Sequence, residues 1–309
     1  MDPLSSLVAL MRPETVVSKV VSGSGRWGAR YRHSGTPGFG VVVTGKCHFH
    51  ADGCEPVELS EGDFILLPTG PGFAIASDPG VEPDEIQTCP ASAILAEAHY
   101  GLSTGKPDFQ LLGGYFRFNA PNSEMLTQIV PPQIHIKCAD NSARRIAGII
   151  GSVRDEALDQ RPGRDLIIPR LIEVMLIEAL RYGSEQREAS VRTGLLNGLA
   201  DDRVGRALTS LHADVARPWS VALLAEEARL SRTAFSERFT RLVGMPPMTY
   251  LTKWRMAVAK DILRHERLPQ DVVAATVGYQ SASAFSTAFR REVGQAPGEY
   301  TRASLALTV

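Results

Sequence analysis

Residues Ser231–Tyr250 read SRTAFSERFTRLVGMPPMTY, and residues Ser281–Tyr300 read SASAFSTAFRREVGQAPGEY. When the first stretch is shifted by 50 positions, ten of its twenty residues coincide with the second without a gap. The shared residues include the first serine, both phenylalanines, the glycine and the final tyrosine. A match of this density predicts one supersecondary unit that is present in two copies.

Each copy carries the start and stop signals of one helix. A serine hydroxyl at the start can accept a hydrogen bond from a first-turn amide, and two phenylalanines four positions apart bury one helical face. A glycine near the end suits a left-handed C-cap, and a proline follows soon after it. These residues are Ser231, Phe235, Phe239, Gly244 and Pro247 in the first copy and Ser281, Phe285, Phe289, Gly294 and Pro297 in the second.

A shorter helix is predicted before each copy, over Val221–Ala228 and over Gln270–Val277. Ala225 and Ala275 fall at matching places in these helices, where a small side chain lets two helices cross closely. Two helices joined by a tight turn form a helix-turn-helix, whose second helix can lie in a DNA major groove. The alternative is a helical repeat that binds nothing, but such solenoids need three or more copies.

Further stretches extend the pattern: WSVALLA (219–225), SRTAFSERF (231–239), GMPPMTYLTKWRM (244–256), AKDIL (259–263), VGYQSASAFSTAFRR (277–291) and PGEY (297–300). Through them, residues 199–302 resemble the DNA-binding domain of the AraC family of bacterial transcription regulators. The resemblance implies seven helices, with a long helix through Tyr250–Arg264 that holds two modules rigidly. The two recognition helices would enter successive major grooves on one DNA face, about 34 Å apart.

The side chains that do not face the helical core are the predicted DNA contacts. Because the second module has no long donor that could fork onto guanine, the first module is expected to supply most base readout, Arg232 included. The second is expected to contribute shape readout, thymine-methyl contact and phosphate binding, with the arginines at the end of each helix near phosphates. The predicted contacts are Arg232, Thr233, Ser236, Glu237, Arg238 and Arg241, then Ala282, Ser283, Ser286, Thr287, Arg290 and Arg291.

The charge of the chain is distributed unevenly. The 309 residues carry a net charge of −1 and are long enough for two domains. From Leu199 onward there are 15 Lys/Arg and 11 Asp/Glu, against 18 and 23 in the remainder. This asymmetry favours double-stranded DNA as the partner of the C-terminal part. No apolar run reaches the length of a membrane span, and the N-terminus lacks the features of a signal peptide, which predicts a cytoplasmic protein.

The N-terminal part reads as a short helix followed by strands. The helix lies within residues 4–19 and ends before Arg12–Pro13. Many short strands at this spacing suggest a small barrel or double sheet. The predicted strands are Val16–Val21, Trp27–Tyr31, Phe39–Thr44, Lys46–His50, Val57–Leu59, Phe64–Leu67, Phe73–Ala76, Ala93–Tyr100 and Tyr115–Phe118.

The runs GKCHFH (45–50) and EPVELSEGDFILLPTG (55–70) resemble a cupin, the effector-sensing domain type of one branch of the AraC family. His48 and His50 are two apart on a strand and share a face, a spacing that suits a metal. Cupins carry a third histidine ligand shortly after Gly70, where this chain has Phe73. No metal or cofactor is therefore predicted, and His48, His50 and Phe73 are the candidate pocket for a small-molecule effector. The alternatives are two half-exposed histidines or a metal-binding cupin enzyme.

The four cysteines, Cys47, Cys54, Cys89 and Cys138, form no C-x-x-C pair, so a structural zinc is not predicted. In a reducing cytosol they are expected to be free thiols. Because some regulators of this branch sense oxidants through cysteine, a redox-responsive regulator is the alternative function. Cys47 alternates with the two histidines, which also fits simple inward packing.

Residues 139–183 read as a helical dimerisation segment. Asn141 or Ser142 can cap a helix through Ala157, residues 161–163 break it, and Asp165 caps the next. That helix is apolar nearly all round and must be covered on more than one side, by a second subunit or, alternatively, by the preceding helix of a monomer. Residues 184–198 are predicted to be a linker and residues 303–309 a tail.

The sequence therefore predicts a multi-domain protein that is not an enzyme. Residues 1–138 form an all-β cupin-like barrel with helices, and residues 199–302 form an all-α domain with two helix-turn-helix modules. The predicted function is a transcription regulator, controlled by a small-molecule effector, that acts as a homodimer. The resemblance favours an activator and makes RNA polymerase a candidate partner, although the residues alone do not separate activation from repression.

Overall fold

The computed structural model describes residues 2–11, 13–32, 35–86, 97–102, 106–118, 132–159, 162–185, 193–266 and 268–306. These residues fold into two compact units. One contains residues 13–118 and 132–185, and the other contains residues 2–11 and 193–306. Among the described residues, no helix is both long enough and apolar enough to cross a membrane.

The first unit is built on two sheets that enclose an apolar core. The six-stranded sheet has the order β11-β6-β3-β10-β1-β9, and the five-stranded sheet has the order β5-β4-β7-β2-β8. The strands are β1 (Pro13–Ser24), β2 (Gly28–Tyr31), β3 (Gly38–Thr44), β4 (Lys46–Ala51), β5 (Val57–Ser60), β6 (Phe64–Leu67), β7 (Phe73–Ala76), β8 (Asp84–Ile86), β9 (Glu97–Gly101), β10 (Phe109–Phe118) and β11 (Ile134–Ile136).

The predicted strands are found: β6 and β7 have the predicted limits, and the limits of the others differ. The prediction missed β8 and β11, which at three residues each are too short to show a period-two pattern. It also found only the end of β10, because Gly113 and Gly114 interrupt the apolar pattern there. The first four residues of the predicted strand Ala93–Tyr100 lie outside the described residues, and its remainder falls within β9.

Two helices complete the first unit, α2 (Asn141–Asp159) and α3 (Arg164–Glu185), close to the predicted limits. They pack against each other, and α3 also contacts β1 and β11. An ion pair joins them, with Arg145 Nη2 2.7 Å from Glu178 Oε2. The inward face of α3 is completely buried at Ile172, Met175, Leu176, Ala179 and Leu180.

The second unit is all helical. Its elements are α1 (Pro3–Met11), α4 (Leu195–Ala200), α5 (Asp202–Ala213), α6 (Val221–Glu227), α7 (Arg232–Val243), α8 (Pro247–His265), α9 (Gln270–Thr276), α10 (Ala282–Val293) and α11 (Pro297–Ala306). The seven helices from α5 to α11 fill the domain predicted at 199–302, and α8 is the predicted long connector.

Three predicted limits are corrected by this unit. The helix α1 ends at Met11, before Arg12–Pro13 as predicted, but it belongs to this unit rather than to the 1–138 domain, because Leu7 and Val8 are buried where it packs on α5 and α8. The predicted linker 184–198 is shorter, because Leu195 and Leu196 are buried in α4. The first four residues of the predicted tail 303–309 form the last turn of α11.

The two helix-turn-helix modules, α6–α7 and α9–α10, have the predicted caps. Ser231 Oγ accepts from Ala234 N at 3.3 Å, and Ser281 Oγ accepts from Ala284 N at 3.2 Å. Gly244 and Gly294 close the helices with φ values of 88° and 85° in the left-handed region.

The pairing of Ala225 with Ala275 is wrong by one residue. Residues 228–231 join the helices of the first module, whereas residues 277–281 join those of the second, so the second turn holds one more residue. Upstream of the turn the offset is therefore 49 rather than 50. Ala274 is the buried counterpart of Ala225, and Ala275 is exposed.

Candidate nucleic-acid interface

Both recognition helices are anchored by the same arrangement of aromatic rings. Phe235 and Phe239 of α7 are completely buried, with their ring centroids 5.5 Å apart. Phe285 and Phe289 of α10 are also buried and also lie 5.5 Å apart. Each pair contacts a tyrosine at the start of the following helix, with centroids 5.8 Å apart for Phe239 and Tyr250 and 5.6 Å for the corresponding pair. Equal anchoring leaves the opposite faces of α7 and α10 available.

The face of α7 away from these rings carries most of the residues predicted for it. Arg232, Thr233, Glu237 and Arg241 are exposed, and Ser236 is half-buried. Neither recognition serine is fully buried, since Ser286 of α10 is half-buried as well. A groove-facing role for these side chains is therefore sterically open.

Arg238 is held differently from the other arginines of α7. Its Nε and Nη2 lie 2.9 Å and 2.5 Å from Asp201 Oδ2. Asp201 also caps α5, accepting from the amides of Arg203 and Val204. Burial raises the pKa of Asp201, but the hydrogen bonds from Arg238 and these amides outweigh burial and lower the pKa overall. Arg238 therefore links α7 to the N-terminus of α5. Two of its N–H donors, which the sequence analysis assigned to a phosphate contact, bind Asp201 instead.

The second recognition helix presents shorter and less charged side chains at the positions predicted for base contact. Ser283, Thr287 and Arg290 are exposed, and Ala282 is half-buried. Ser286 Oγ accepts a hydrogen bond from Gln270 Nε2 of α9. Arg291 is exposed and its Nε lies 2.9 Å from Glu292 Oε1. Within α7 and α10 the arginines therefore differ: Arg238 and Arg291 have acidic partners, while Arg232, Arg241 and Arg290 project to solvent.

Several residues of the interface were missed from sequence. Asp201 and Gln270 hold Arg238 and Ser286, but both lie outside the duplicated stretches. Gln280 is exposed in the turn before α10 and is the residue without a counterpart in the first module. A comparison of the two turn lengths, 228–231 against 277–281, would have revealed this insertion.

The structure does not bring the predicted effector residues together. Along β4, Cys47, Phe49 and Ala51 are buried in the core, so His48 and His50 lie on the outer face of the sheet. His48 Nε2 lies 3.8 Å from the exposed carboxylate of Glu58. Phe73 packs inward instead, against Phe49. The pattern of alternation predicted the shared face of the histidines, but not which side of the sheet it would be.

Within the described parts of the chain, the metal alternative has no assembled site and three cysteines are free thiols. These parts contain no group of three or more His, Cys, Asp or Glu that could hold a metal ion. Cys47 is buried, and burial, with the nearby Glu58 carboxylate, raises the pKa of its thiol to about 12, which disfavours the reactive thiolate. Cys54 is also buried, Cys138 is exposed, and Cys89 lies outside the described residues.

Comparison with known proteins agrees with the two units. Residues 2–185 match the family model described as Cupin, and residues 224–303 match the model described as Helix-turn-helix domain. The chain is 35% identical over 306 residues to a putative AraC-like transcription regulator of Streptomyces lividans, with 98% of each chain covered. It is 34% identical over 305 residues to one from Streptomyces antibioticus, covering 98% of this chain and 99% of the relative.

Among solved structures, the chain resembles the DNA-binding domain of the global transcriptional factor AdpA in complex with a target DNA. The identity is 29%, and the match covers 34% of this chain and 96% of that one, with a TM-score of 0.33.

Proposed function

The chain belongs to the AraC family of transcription regulators, and from that premise we propose that a small molecule in its cupin domain controls how it regulates transcription. Membership of the family establishes DNA binding and transcription regulation. Control by an effector is what we propose in addition. The observation that carries the DNA-binding half is the pair of aromatic-anchored helices with polar outer faces, α7 and α10. Because such a protein acts on chromosomal DNA, its proposed location is the cytoplasm.

The two modules have different proposed roles on DNA. Arg232 is an exposed long donor at the start of α7, and Thr233 and Glu237 are exposed further along the same helix. An arginine at this place can donate two hydrogen bonds to guanine in the major groove. The outer face of α10 offers short hydroxyls and a half-buried alanine instead, which suit thymine-methyl and phosphate contacts. We therefore assign most base readout to the first module.

Alanine substitution of α7 tests this assignment. The affinity of the protein for DNA upstream of its own gene, and its sequence preference in a random-sequence library, are measured at a fixed salt concentration. Arg232→Ala with Ser236→Ala is expected to weaken specific binding by about ten- to a hundredfold, the usual value of one good base contact. Thr287→Ala in α10 is the matched control, with an expected loss of less than about threefold. Unchanged affinity and unchanged sequence preference in the α7 variant would refute the assignment.

Salt dependence separates the arginines that contact phosphate from the one that fastens α7. The slope of log K against log salt is negative, and each phosphate contact that is lost makes it shallower by about one. Arg241→Ala and Arg290→Ala are expected to show that change, since both side chains are exposed. Arg238→Met is expected to change the slope little, because its donors already bind Asp201. Equal slope changes in all three variants would contradict the distinction.

The proposed effector site is an aromatic cluster that packs against the core of the first unit. The rings of Tyr31 and Phe73 stack at 4.8 Å, and Phe49 stacks on Phe73 at 5.5 Å. The Tyr31 and Tyr100 hydroxyls lie 2.8 Å apart, and burial raises the pKa of Tyr31, so its hydroxyl is neutral. The partly exposed rings of Tyr31 and Phe73, together with the neutral Tyr31 hydroxyl, favour an uncharged ligand with a flat apolar part.

An uncharged aromatic fluorophore, N-phenyl-1-naphthylamine, probes this site directly. Tyr31→Leu and Phe73→Leu are expected to weaken its binding about tenfold, because each removes one stacking ring. His48→Ala and His50→Ala are the controls on the outer face of the same sheet, with no expected change. Weaker binding in the histidine variants alone would transfer the site to the outer face.

The proposed homodimer rests on the outer side of α3. Its inner side is buried and α2 covers another part, yet Leu166, Ile167 and Val174 remain 78%, 41% and 48% exposed. A second copy of the same helix would cover these side chains. Val174→Glu, which buries a charge in that contact, is expected to convert a dimer to a monomer in analytical ultracentrifugation. Ser152→Glu, which adds the same charge at an exposed position of α2 outside the proposed contact, is the control.

The direction of regulation is proposed to be activation, through contact of the DNA-bound protein with RNA polymerase. A reporter gene behind the protein's own upstream region measures this. Expression is expected to rise with the wild type and to stay at the basal level with the Arg232 and Ser236 variant. A wild type that lowers expression would instead identify a repressor.

A further inference from the structure

Arg255 of α8 contacts the entry to the first module. Its Nε and Nη2 donate to the carbonyl oxygen of Val215 at 3.0 Å and 2.9 Å. Its Nη2 also donates to the carbonyl oxygen of Arg217 at 2.8 Å. These carbonyls belong to the loop that connects α5 to α6, so the guanidinium fixes the segment from which the first module begins.

The same guanidinium lies against the turn of the second module. Its Cζ is 5.8 Å from the ring centroid of Tyr279, and that ring packs edge-on at 5.8 Å against Phe285 of α10. Gly278 has φ +78°, and a Cβ there would lie 2.5 Å from Arg255 Nη2 and 2.6 Å from the carbonyl oxygen of Ala216. The loop of one module and the turn of the other therefore meet at this side chain.

The chemistry of arginine suits this position. One planar group with several fixed donors can bind two carbonyls and still present a face to an aromatic ring, which a lysine ammonium cannot reproduce. Burial lowers the pKa of Arg255, as expected for a guanidinium partly withdrawn from water. Removal of the side chain would leave the carbonyls of Val215 and Arg217 without this donor and would open space beside Gly278.

We propose that Arg255 sets the distance between the two DNA segments that the modules read, by fixing the first module's entry loop to the second module's turn. The helix α8 connects the modules. A single connecting helix does not by itself fix the orientation of the module at each of its ends, so side-chain contacts must do so. Arg255 is thus a positioning residue with no contact to DNA of its own. The inference rests on the proposed assignment of both recognition helices to DNA.

Selection of bound sequences from a random DNA library by the full-length protein tests this inference. The wild type is expected to select two short motifs at one spacing. Arg255→Met is expected to select the same two motifs over several spacings, and to bind the wild-type spacing about tenfold more weakly. Arg255→Lys is expected to fall between the two. Arg264→Met removes an arginine from the same helix away from this contact and is expected to keep the single spacing.

The outcomes are separable. If the wild type selects no two-part sequence, the proposed function fails and this inference fails with it. If the wild type selects two motifs and Arg255→Met keeps their single spacing, the inference alone is overturned. Loss of both motifs by a folded Arg255→Met protein would also overturn it, because a positioning residue should not change what each module reads.

A second variant covers the case in which Arg255→Met does not fold. Tyr279→Leu keeps an apolar side chain against Phe285 but removes the ring that faces the guanidinium. It is expected to broaden the spacing in the same direction, while melting close to the wild-type temperature. A folded Tyr279→Leu protein with unchanged spacing counts against the inference.

Discussion

The two helix-turn-helix modules have copied cores and different surroundings. Their phenylalanine pairs have the same 5.5 Å separation and nearly the same interplanar angle, 56° and 57°. Outside the cores the likeness ends. In the first module Arg238 is bound to Asp201, whereas in the second module Ser286 accepts from Gln270. The two recognition helices therefore share one aromatic scaffold, whereas the polar contacts that support each helix differ.

The residue with a left-handed backbone conformation in each turn also differs between the modules. It is Arg229 in the first module, with φ 53°, and Gly278 in the second, with φ 78°. The carbonyl of Arg229 accepts from Arg203 Nη1 at 2.7 Å, and its side chain is exposed. Gly278 has no room for a side chain, because Ala216 and Arg255 crowd it. A contact between the modules therefore decides which turn needs glycine.

The largest test asks whether the two cores are equivalent. Phe239→Ala and Phe289→Ala each remove a completely buried ring, so each is expected to cost about 3–5 kcal/mol of unfolding free energy. Urea unfolding followed by tryptophan fluorescence measures the loss. Thr240→Ala and Arg290→Ala, at matching exposed positions, are the controls. A difference of more than about 2 kcal/mol between the two phenylalanine variants would show that the cores are not equivalent.

Acid should weaken the first module more than the second. His212 Nε2 lies 2.8 Å from the Tyr250 hydroxyl, whereas Tyr300, the counterpart in the second module, is bonded to Ser304. Burial lowers the pKa of His212 from 6.5 to about 3, although Asp2 opposes the shift. The unfolded chain therefore takes up the proton first, so this contribution is complete above pH 6.5 and is lost as pH falls toward 3.

The slope of that loss is at most about 1.4 kcal/mol per pH unit. Thermal unfolding between pH 7.5 and pH 5 is expected to show a smaller decrease in Tm for His212→Gln than for the wild type. Ser304→Ala, in the second module, is expected to retain the full decrease. Identical pH profiles for wild type and His212→Gln would contradict the assignment to this histidine.

The fastening of α7 by Asp201 has no equivalent in the second module. Asp201→Ala removes an N-cap and is expected to cost about 1 kcal/mol. Asp201→Asn keeps a capping oxygen but loses the ion pair with the partly exposed Arg238, and is expected to cost less. Chemical denaturation of both variants separates the two contributions. Equal losses would mean that the ion pair, and not the cap, is the larger contribution.

The smallest effect concerns the turn of the first module. Arg229→Gly is expected to stabilise the protein by about 0.5–1 kcal/mol, because glycine adopts a left-handed backbone without steric cost. Arg229→Ala keeps a Cβ and is expected to have little effect. Differential scanning calorimetry measures both. A stabilised alanine variant would attribute the gain to the lost charge rather than to the backbone.

Local signals gave correct predictions because their partners lie a few residues away. The Ser231 hydroxyl accepts from the amide three residues later, and the Gly244 amide donates to the carbonyl of Thr240. Each capping residue therefore has its partner within a few residues. The partner of Arg238 is 37 residues away, and no periodicity points to it. The turn length was also missed, since an ungapped match of the recognition helices says nothing about the residues before them.

The cupin half shows the same limit at the level of a sheet. Alternation placed His48 and His50 on one face, and the structure agrees. The choice of face depends on which neighbours fill the core, and Cys47 and Phe49 fill it here. The packing partner of helix α1 was even less predictable from sequence. Its apolar side could pack on many apolar surfaces, and only the folded chain shows that it packs on α5 and α8.

The amino-acid sequence by itself determined the duplicated helices, their caps, the family and the all-β character of the first unit, because these depend on spacing and on contacts within a few residues. Tertiary structure alone decided which arginines of α7 and α10 stay free, which side of β4 faces the core, and where the two modules touch. Those outcomes depend on side chains far apart in the chain that meet only after folding, as Arg255 and Gly278 do.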